Sequence, residues 1–210
     1  MRTLLDLVVP SECAGCRAPG TPWCAECARG VAGPPIRVYP RTDPGVPCWA
    51  LSRYHGPARQ AVLAAKERNR RDLARPLGFA LAAGLARLRA PDEPLILVPS
   101  PSRSSAARRR GGDPVLRCAL IAARSLRCCR VVPCLRVWWG VRDSAGLTAR
   151  ERGRNLHGRV SAVPLPAWVG NAQVVLVDDV LTTGTTVSAC ARALVAAGTR
   201  LDGVFVTCAG

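Results

Sequence analysis

A chain of 210 residues can hold one ordinary α/β domain plus a small module, and its 30 Lys plus Arg against 14 Asp plus Glu give a formal charge of +16. That balance points to anionic partners, nucleic acid or phosphorylated small molecules. Hydrophobic residues make up 49% of the chain but aromatic ones only 4%, so aliphatic and alanine side chains must build the core, and no apolar run approaches the roughly 18–20 residues of a spanning helix, which excludes membrane insertion by that route.

The opening MRTLLDLVVPSEC is short and interrupted by Asp6, which argues against a signal peptide. The cysteines number 11, an odd count with no export signal beside it. They predict free thiols in a reducing cytoplasm and a metal site, not a disulfide framework. Cys13-Ala-Gly-Cys16 and Cys24-Ala-Glu-Cys27 form CxxC-x7-CxxC. One CxxC could be redox-active or incidental, but two at this spacing are hard to dismiss. Their four thiolates suit a closed, tetrahedral, structural zinc site, with Trp23 packing the module. From Gly30 to Pro47 the chain is rich in Pro and Gly and reads as a linker, because Pro35, Pro40, Pro44 and Pro47 would interrupt a helix or central strand. The expected division is a zinc-ribbon-like module with its linker over 1–47 and an α/β domain over 48–210.

Helical apolar spacing marks Ala58–Ala65 and Leu73–Leu88, with arginines on the polar side. Leu95–Val98 reads as a short buried strand ending at Pro99. Pro114–Arg127 reads as a helix with proline in its first turn. Val131–Trp138 reads as a strand that Pro133 confines to an edge. Adjacent Cys128 and Cys129 read as buried thiols, since neighbours rarely form an unstrained disulfide, and His55 and His157 have no partner visible in the sequence. Val174–Val177 is the clearest strand, Thr185–Ala197 the clearest helix with Gly198 as its stop, and Val204–Thr207 the last strand. Strands alternating with helices predict a doubly wound, mostly parallel sheet, with ligands outside the C-terminal strand ends.

The stretch VVLVDDVLTTGTT sits at such an end. A loop that leaves a strand and opens a helix presents backbone N–H groups at the positive end of the helix dipole, where a phosphate binds. Gly184 permits the tight backbone, and Thr182, Thr183, Thr185 and Thr186 add hydroxyls. Asp178 and Asp179 cannot share that anion, so they need hydroxyls or a cation. A ribose 5-phosphate satisfies both demands. Nucleotide-hydrolase metal strands and phospho-acceptor domains also end in paired acids, but the first need a GxxxxGK[ST] loop, which is absent, and the second would not follow their acids with TTGTT. A second phosphate loop is expected after the earlier strand, in LILVPSPSRSS, where Ser100, Pro101 and Ser102 could cradle a pyrophosphate with Arg103 and Arg108 to Arg110 supplying charge. The alternative for that loop is an exposed arginine-rich surface. Lys66, the only lysine, reads either as a phosphate contact needing a compact ammonium or as a solvated helix residue.

Four apolar residues, two acids and Thr-Thr-Gly-x-Thr resemble the signature of the type I phosphoribosyltransferases, which bind phosphoribosyl pyrophosphate (PRPP). The CxxC pair, Lys66 before an Arg-rich turn, LARPLG at 73–78, Val98-Pro99-Ser100-Pro101, Arg110-Gly111, and Gly146-Leu147-Thr148 with Glu151, Arg152 and Asn155 narrow the resemblance to the ComF family, the competence or amidophosphoribosyltransferase-like proteins. Members commonly carry a bulky residue and Asn-Gln after Arg-Gly, whereas here Gly112-Asp113-Pro114 follows. The resemblance implies PRPP binding with Mg2+, transfer of the phosphoribosyl group to an acceptor it does not name, and a place in DNA uptake, with single-stranded DNA and an uptake helicase as partners. A non-catalytic ligand sensor and a single-stranded DNA-binding protein are the competing readings. The base-selecting hood of metabolic phosphoribosyltransferases has no counterpart legible in this sequence.

Overall fold

The structure is a computed structural model and describes residues 12–102, 112–137 and 160–210. Arg103, Arg108 to Arg110, Gly111, Trp138, Gly146 to Thr148, Glu151, Arg152, Asn155 and His157 lie outside the described residues. In chain order the elements are α1 (Ala25–Val31), β1 (Ile36–Val38), β2 (Cys48–Arg53), α2 (Gly56–Glu67), α3 (Ala74–Ala86), β3 (Leu95–Pro99), α4 (Pro114–Ser125), β4 (Cys129–Val131), β5 (Leu135–Val137), β6 (Val160–Ala162), β7 (Gln173–Leu181), α5 (Thr185–Ala196) and β8 (Gly203–Ala209).

Six strands form one sheet in the order β1-β2-β8-β7-β3-β4, and only β1 runs antiparallel to its neighbour. Both faces are covered, which is why the strands read as continuous apolar runs. Along β3 and β8 the pleat sends Ile96, Val98, Val204 and Val206 to a cluster with Val187, Cys190 and Leu194 of α5. The alternate residues Leu95, Leu97 and Phe205 meet Leu81 and Leu85 of α3 and Val115 and Ala119 of α4. The expected mostly parallel sheet with helices on both sides is present.

Three expectations change. The segment read as a linker contains β1, an edge strand between Pro35 and Pro40 whose residues pair with β2 (Ile36 with Ala50, Val38 with Cys48). The single strand expected over Val131–Trp138 is divided at Pro133. β4 ends at Val131 on the edge of the main sheet, and β5 starts at Leu135 in a separate antiparallel pair with β6. Cys128 is exposed rather than buried, turning the chain into β4 at φ 51°.

The topology also fixes where a ligand can sit. From β3 the chain proceeds to β4 on one side, and from β7 to β8 on the other. The crevice between the C-terminal ends of β3 and β7 is therefore the topological switch point of the sheet. β7 outruns its neighbour there. Its pairing with β3 stops at Pro99–Val177, while its pairing with β8 continues to Leu181–Ala209. Asp178 and Asp179 thus stay in strand geometry, held by β8, beyond the last residue of β3.

Candidate functional site

The threonine loop closes β7 onto α5. Gly184 stands at the helix N-cap with φ 84°, and no side chain caps the first turn, so the N–H groups there are left for a ligand or water. Glycine is required on two counts. The left-handed backbone disfavours any Cβ, and a Cβ would strike the carbonyl oxygen of Thr42 and meet Pro40 Cβ at 2.7 Å. The turn after β1 therefore lies directly on this loop. Thr42 N–H donates to the Thr183 carbonyl at 2.8 Å, and Ser188 of α5 donates to the Asp43 carbonyl at 3.5 Å. Within the loop the Thr183 and Thr185 hydroxyls are 3.0 Å apart, and Thr182 and Thr186 are exposed.

The two carboxylates are not equivalent. Asp178 is only 9% exposed, and its Oδ1 accepts the Ser100 hydroxyl at 2.6 Å and the Asp179 N–H at 2.8 Å. The first of these bonds spans the switch point from the end of β3. Burial, then the neighbouring charge of Asp179, pushes the Asp178 carboxyl up to about 7, against the opposing pull of Lys66 and of both hydrogen bonds. Asp179 Oδ1 instead faces Lys66 Nζ at 2.7 Å. Lys66 comes from the last turn of α2, so the only lysine of the chain stands at the acidic pair.

The loop after β3 is held from within. Ser100 N–H donates to the Val177 carbonyl at 2.8 Å, and Ser102 N–H donates to Asp113 Oδ2 at 2.9 Å. Asp113 is also the N-cap of α4, its Oδ1 accepting from Val115 and Leu116. Its role was not foreseen, although an acid directly before a first-turn proline is a legible cap. Pro101 and Ser102 are half-buried. Of the groups expected to cradle a pyrophosphate, the Ser100 hydroxyl and the Ser102 N–H are thus engaged in aligning Asp178 and the loop.

A second cluster lies on the far side of α2. The sulfurs of Cys13, Cys16, Cys24 and Cys27 all fall within 4.8 Å of one another, and those of Cys16 and Cys24 are 3.6 Å apart. A tetrahedron of thiolates about 2.3 Å from a zinc ion has edges of roughly 3.8 Å, so the set can hold a metal ion such as zinc. Cys24 N–H and Cys27 N–H point at the sulfurs of Cys13 and Cys24 at 3.3 and 3.4 Å, and Gly15 leaves room for Cys27 Sγ, which a Cβ would meet at 2.6 Å. Burial opposes ionisation of Cys13, but the N–H groups of Cys16, Cys24 and Gly15 outweigh it and lower the thiol to about 6. Burial and the adjacent sulfurs raise Cys27. Four sulfurs this close need a cation before all can ionise.

The cysteine knuckles and the acidic pair share α2. Ala14 and half-buried Trp23 pack with Ala61, Ala64, Leu73 and Leu77, and Val31 packs with Ala58 and Val62. Arg70, just past α2, donates to the carbonyls of Glu12 and Pro22 at 3.2 and 3.3 Å while Asp72 holds its guanidinium. His55 precedes the helix and is exposed. No helix among the described residues is long and apolar enough to cross a membrane. No family model matches this sequence, and neither does any curated protein.

Proposed function

We propose that this chain binds PRPP or a related ribose 5-phosphate ligand as a phosphoribosyltransferase-like protein of the ComF type. The observation that carries the reading is the conjunction at one switch point of an uncapped helix start behind Thr182–Thr186 with two carboxylates beyond the end of β3. An anion and a vicinal diol held about one sugar ring apart account for both. The 5-phosphate takes the N–H groups and hydroxyls of the loop, and the ribose hydroxyls take Asp178 and Asp179. Lys66 and the loop from Ser100 face the pyrophosphate side. Mg2+, when bound with PRPP, supplies charge to the leaving pyrophosphate. Transfer from such a sugar passes through an oxocarbenium-like state that depends on positioning and electrostatics, so no side chain need act as a base. PRPP with Mg2+ is expected to bind one per chain and to be displaced by ribose 5-phosphate in calorimetric competition; failure of ribose 5-phosphate to compete would contradict the reading.

The cysteine cluster is proposed to hold structural Zn2+. Protein purified without chelator should carry close to one zinc per chain. The Cys13→Ser, Cys24→Ser double variant should lose the metal and expose the segment from Cys13 to Val31 to protease, because among the described residues its apolar side chains are buried only against α2, α3 and β8 and not in a core of their own. A metal-free wild type with the same protease resistance would contradict this.

A second reading, single-stranded DNA binding, is favoured by the charge of +16 and by arginine stacking on exposed aromatics such as Tyr39 and Trp168. It predicts sequence-independent binding whose logarithm falls linearly with the logarithm of salt. Absence of binding at low salt would remove it.

A further inference from the structure

Lys66 reaches the acidic pair from a position that is hard to hold. It stands in the last turn of α2, which ends at Glu67, where carbonyls lack helical partners and helices fray. Its side chain is long and 39% exposed, and an exposed ion pair of that kind contributes little toward fixing its own geometry. Yet its Nζ lies 2.7 Å from Asp179 Oδ1. The turn that carries it must therefore be held by something else. We propose that Arg70 is the positioning residue: it fastens the end of α2 to the cysteine module, and the module thereby sets Lys66 at Asp179.

The stop of α2 supplies the first argument. The Ala64 carbonyl, one step from Lys66 on the same turn, accepts from Arg68 N–H at 3.2 Å and from Arg70 N–H at 3.1 Å. Asn69 makes that return possible at φ 53°, a left-handed turn that asparagine tolerates better than most residues. The backbone of Arg70 thus closes the turn that carries Lys66, and its side chain goes on to the module. Nη1 donates to the Glu12 carbonyl at 3.2 Å and Nη2 to the Pro22 carbonyl at 3.3 Å. Both carbonyls belong to the frame of the first knuckle, since Glu12 precedes Cys13 and Pro22 also accepts from Ala14 N–H at 3.0 Å. The Asp72 carboxylate accepts from Nε at 3.0 and 3.1 Å and from Nη2 at 2.7 Å. That fork fixes the plane of the guanidinium.

Packing supplies the second. The last two turns of α2 meet the module and the start of α3 through small side chains, with Ala61 and Ala64 buried beside Ala14, Leu73 and Leu77, and Ala65 against the same cluster. Alanine buries little area, so the register of this end depends on directional bonds more than on interlocking side chains. Arg87 offers a comparison within the same molecule. Its Nη1 donates to the carbonyls of Ala32 and Gly33 at 3.3 and 3.4 Å, which ties the segment just past α1 to the end of α3 and not to α2. The placement of Lys66 by Arg70 stands apart from the phosphoribosyl reading. The use of Lys66 on the pyrophosphate side rests on it.

Because Lys66 is the only lysine, the full chain grown on isotope-labelled lysine gives a single ε-methylene signal by NMR. Its two protons are inequivalent in a held side chain and merge in a rotating one. Asp179→Asn supplies the signal of a released Lys66. Arg70→Gln should move the wild-type signal most of the way to that position, and Arg87→Gln should leave it in place. Should Arg70→Gln fail to fold, Asp72→Asn, which frees the guanidinium, is read by the same criterion. A signal that Arg70→Gln does not move, or that Arg87→Gln moves as far, overturns the proposal. So does a wild-type signal already at the Asp179→Asn position. Calorimetry with PRPP and Mg2+ then follows the effect to the site. Lys66→Met should weaken binding about tenfold and Arg70→Gln about threefold to tenfold, with no further loss when the two are combined. Inorganic phosphate, held by the threonine loop, should bind alike in all of them. Additive losses would overturn the route through Lys66. A wild type that binds no PRPP overturns the phosphoribosyl reading and leaves the placement to be decided by the lysine signal, so the two failures are told apart.

Discussion

Replacing Gly184 with valine is expected to abolish binding of inorganic phosphate and PRPP alike. The residue sits at φ 84°, where a β-branched side chain is strained by about 1–3 kcal/mol. The added Cβ would also run into the Thr42 carbonyl and Pro40. The loop can relieve the clash only by moving away from the β1 turn. That movement breaks the bond from Thr42 N–H to the Thr183 carbonyl and turns the first N–H groups of α5 off their target. Alanine keeps the strain but adds less bulk, and should fall between. Titration with phosphate and with PRPP measures both ligands. A valine variant with wild-type phosphate affinity would mean that the loop is not the phosphate site.

The second large effect concerns stability and its dependence on pH. Burial and the charge of Asp179 raise the Asp178 carboxyl from its ordinary 3.8 to about 7. Between those values the folded chain keeps a proton that the unfolded chain has released. The stability linked to this group is therefore full below about pH 4, falls as pH rises through the window, and levels off above about pH 7. A shift of this size corresponds to an upper bound of about 4 kcal/mol. Asp178→Asn retains a carbonyl oxygen for the Ser100 and Asp179 donors but carries no charge. It should be more stable than wild type at pH 8, by about 1–3 kcal/mol, and close to it at pH 4. Urea unfolding of both proteins at several pH values gives the comparison, because all other titrating groups are common to the two. Parallel curves would show that Asp178 is not held in this way.

What the sequence made legible was local. The run VVLVDDVLTTGTT announces its strand, its turn and its helix within one stretch, since apolar continuity, Gly184 and the following alanine-rich period each act on immediate neighbours. The paired CxxC is equally local, and its four sulfurs do converge. What escaped the sequence depends on distant partners. β1 and β2 carry no clean period because β2 is covered on both faces, by Cys48 and Ala50 in one core and Leu51 in the other. Four prolines in the preceding stretch masked the turn that covers Gly184. Two identical acids side by side gave no sign that one would be buried against Ser100 and the other would meet Lys66. Neighbouring strand residues project alternately, so their surroundings differ although their chemistry does not. Composition singles out Lys66, but nothing in the sequence points to its partner, Asp179.

On the proposed reading Asp178 and Asp179 serve a sugar diol beside a phosphate. Calorimetric titration of the Asp178→Asn, Asp179→Asn double variant with PRPP and Mg2+, and separately with inorganic phosphate, tests it most directly. The threonine loop is untouched by these changes, so phosphate affinity should match wild type. PRPP should weaken by about tenfold to a hundredfold for each charged hydrogen bond lost, roughly 1.5–3 kcal/mol apiece. The larger share should come from Asp179, because Asp178 is buried and holds its charge less readily. A double variant that binds PRPP as tightly as wild type would contradict the account.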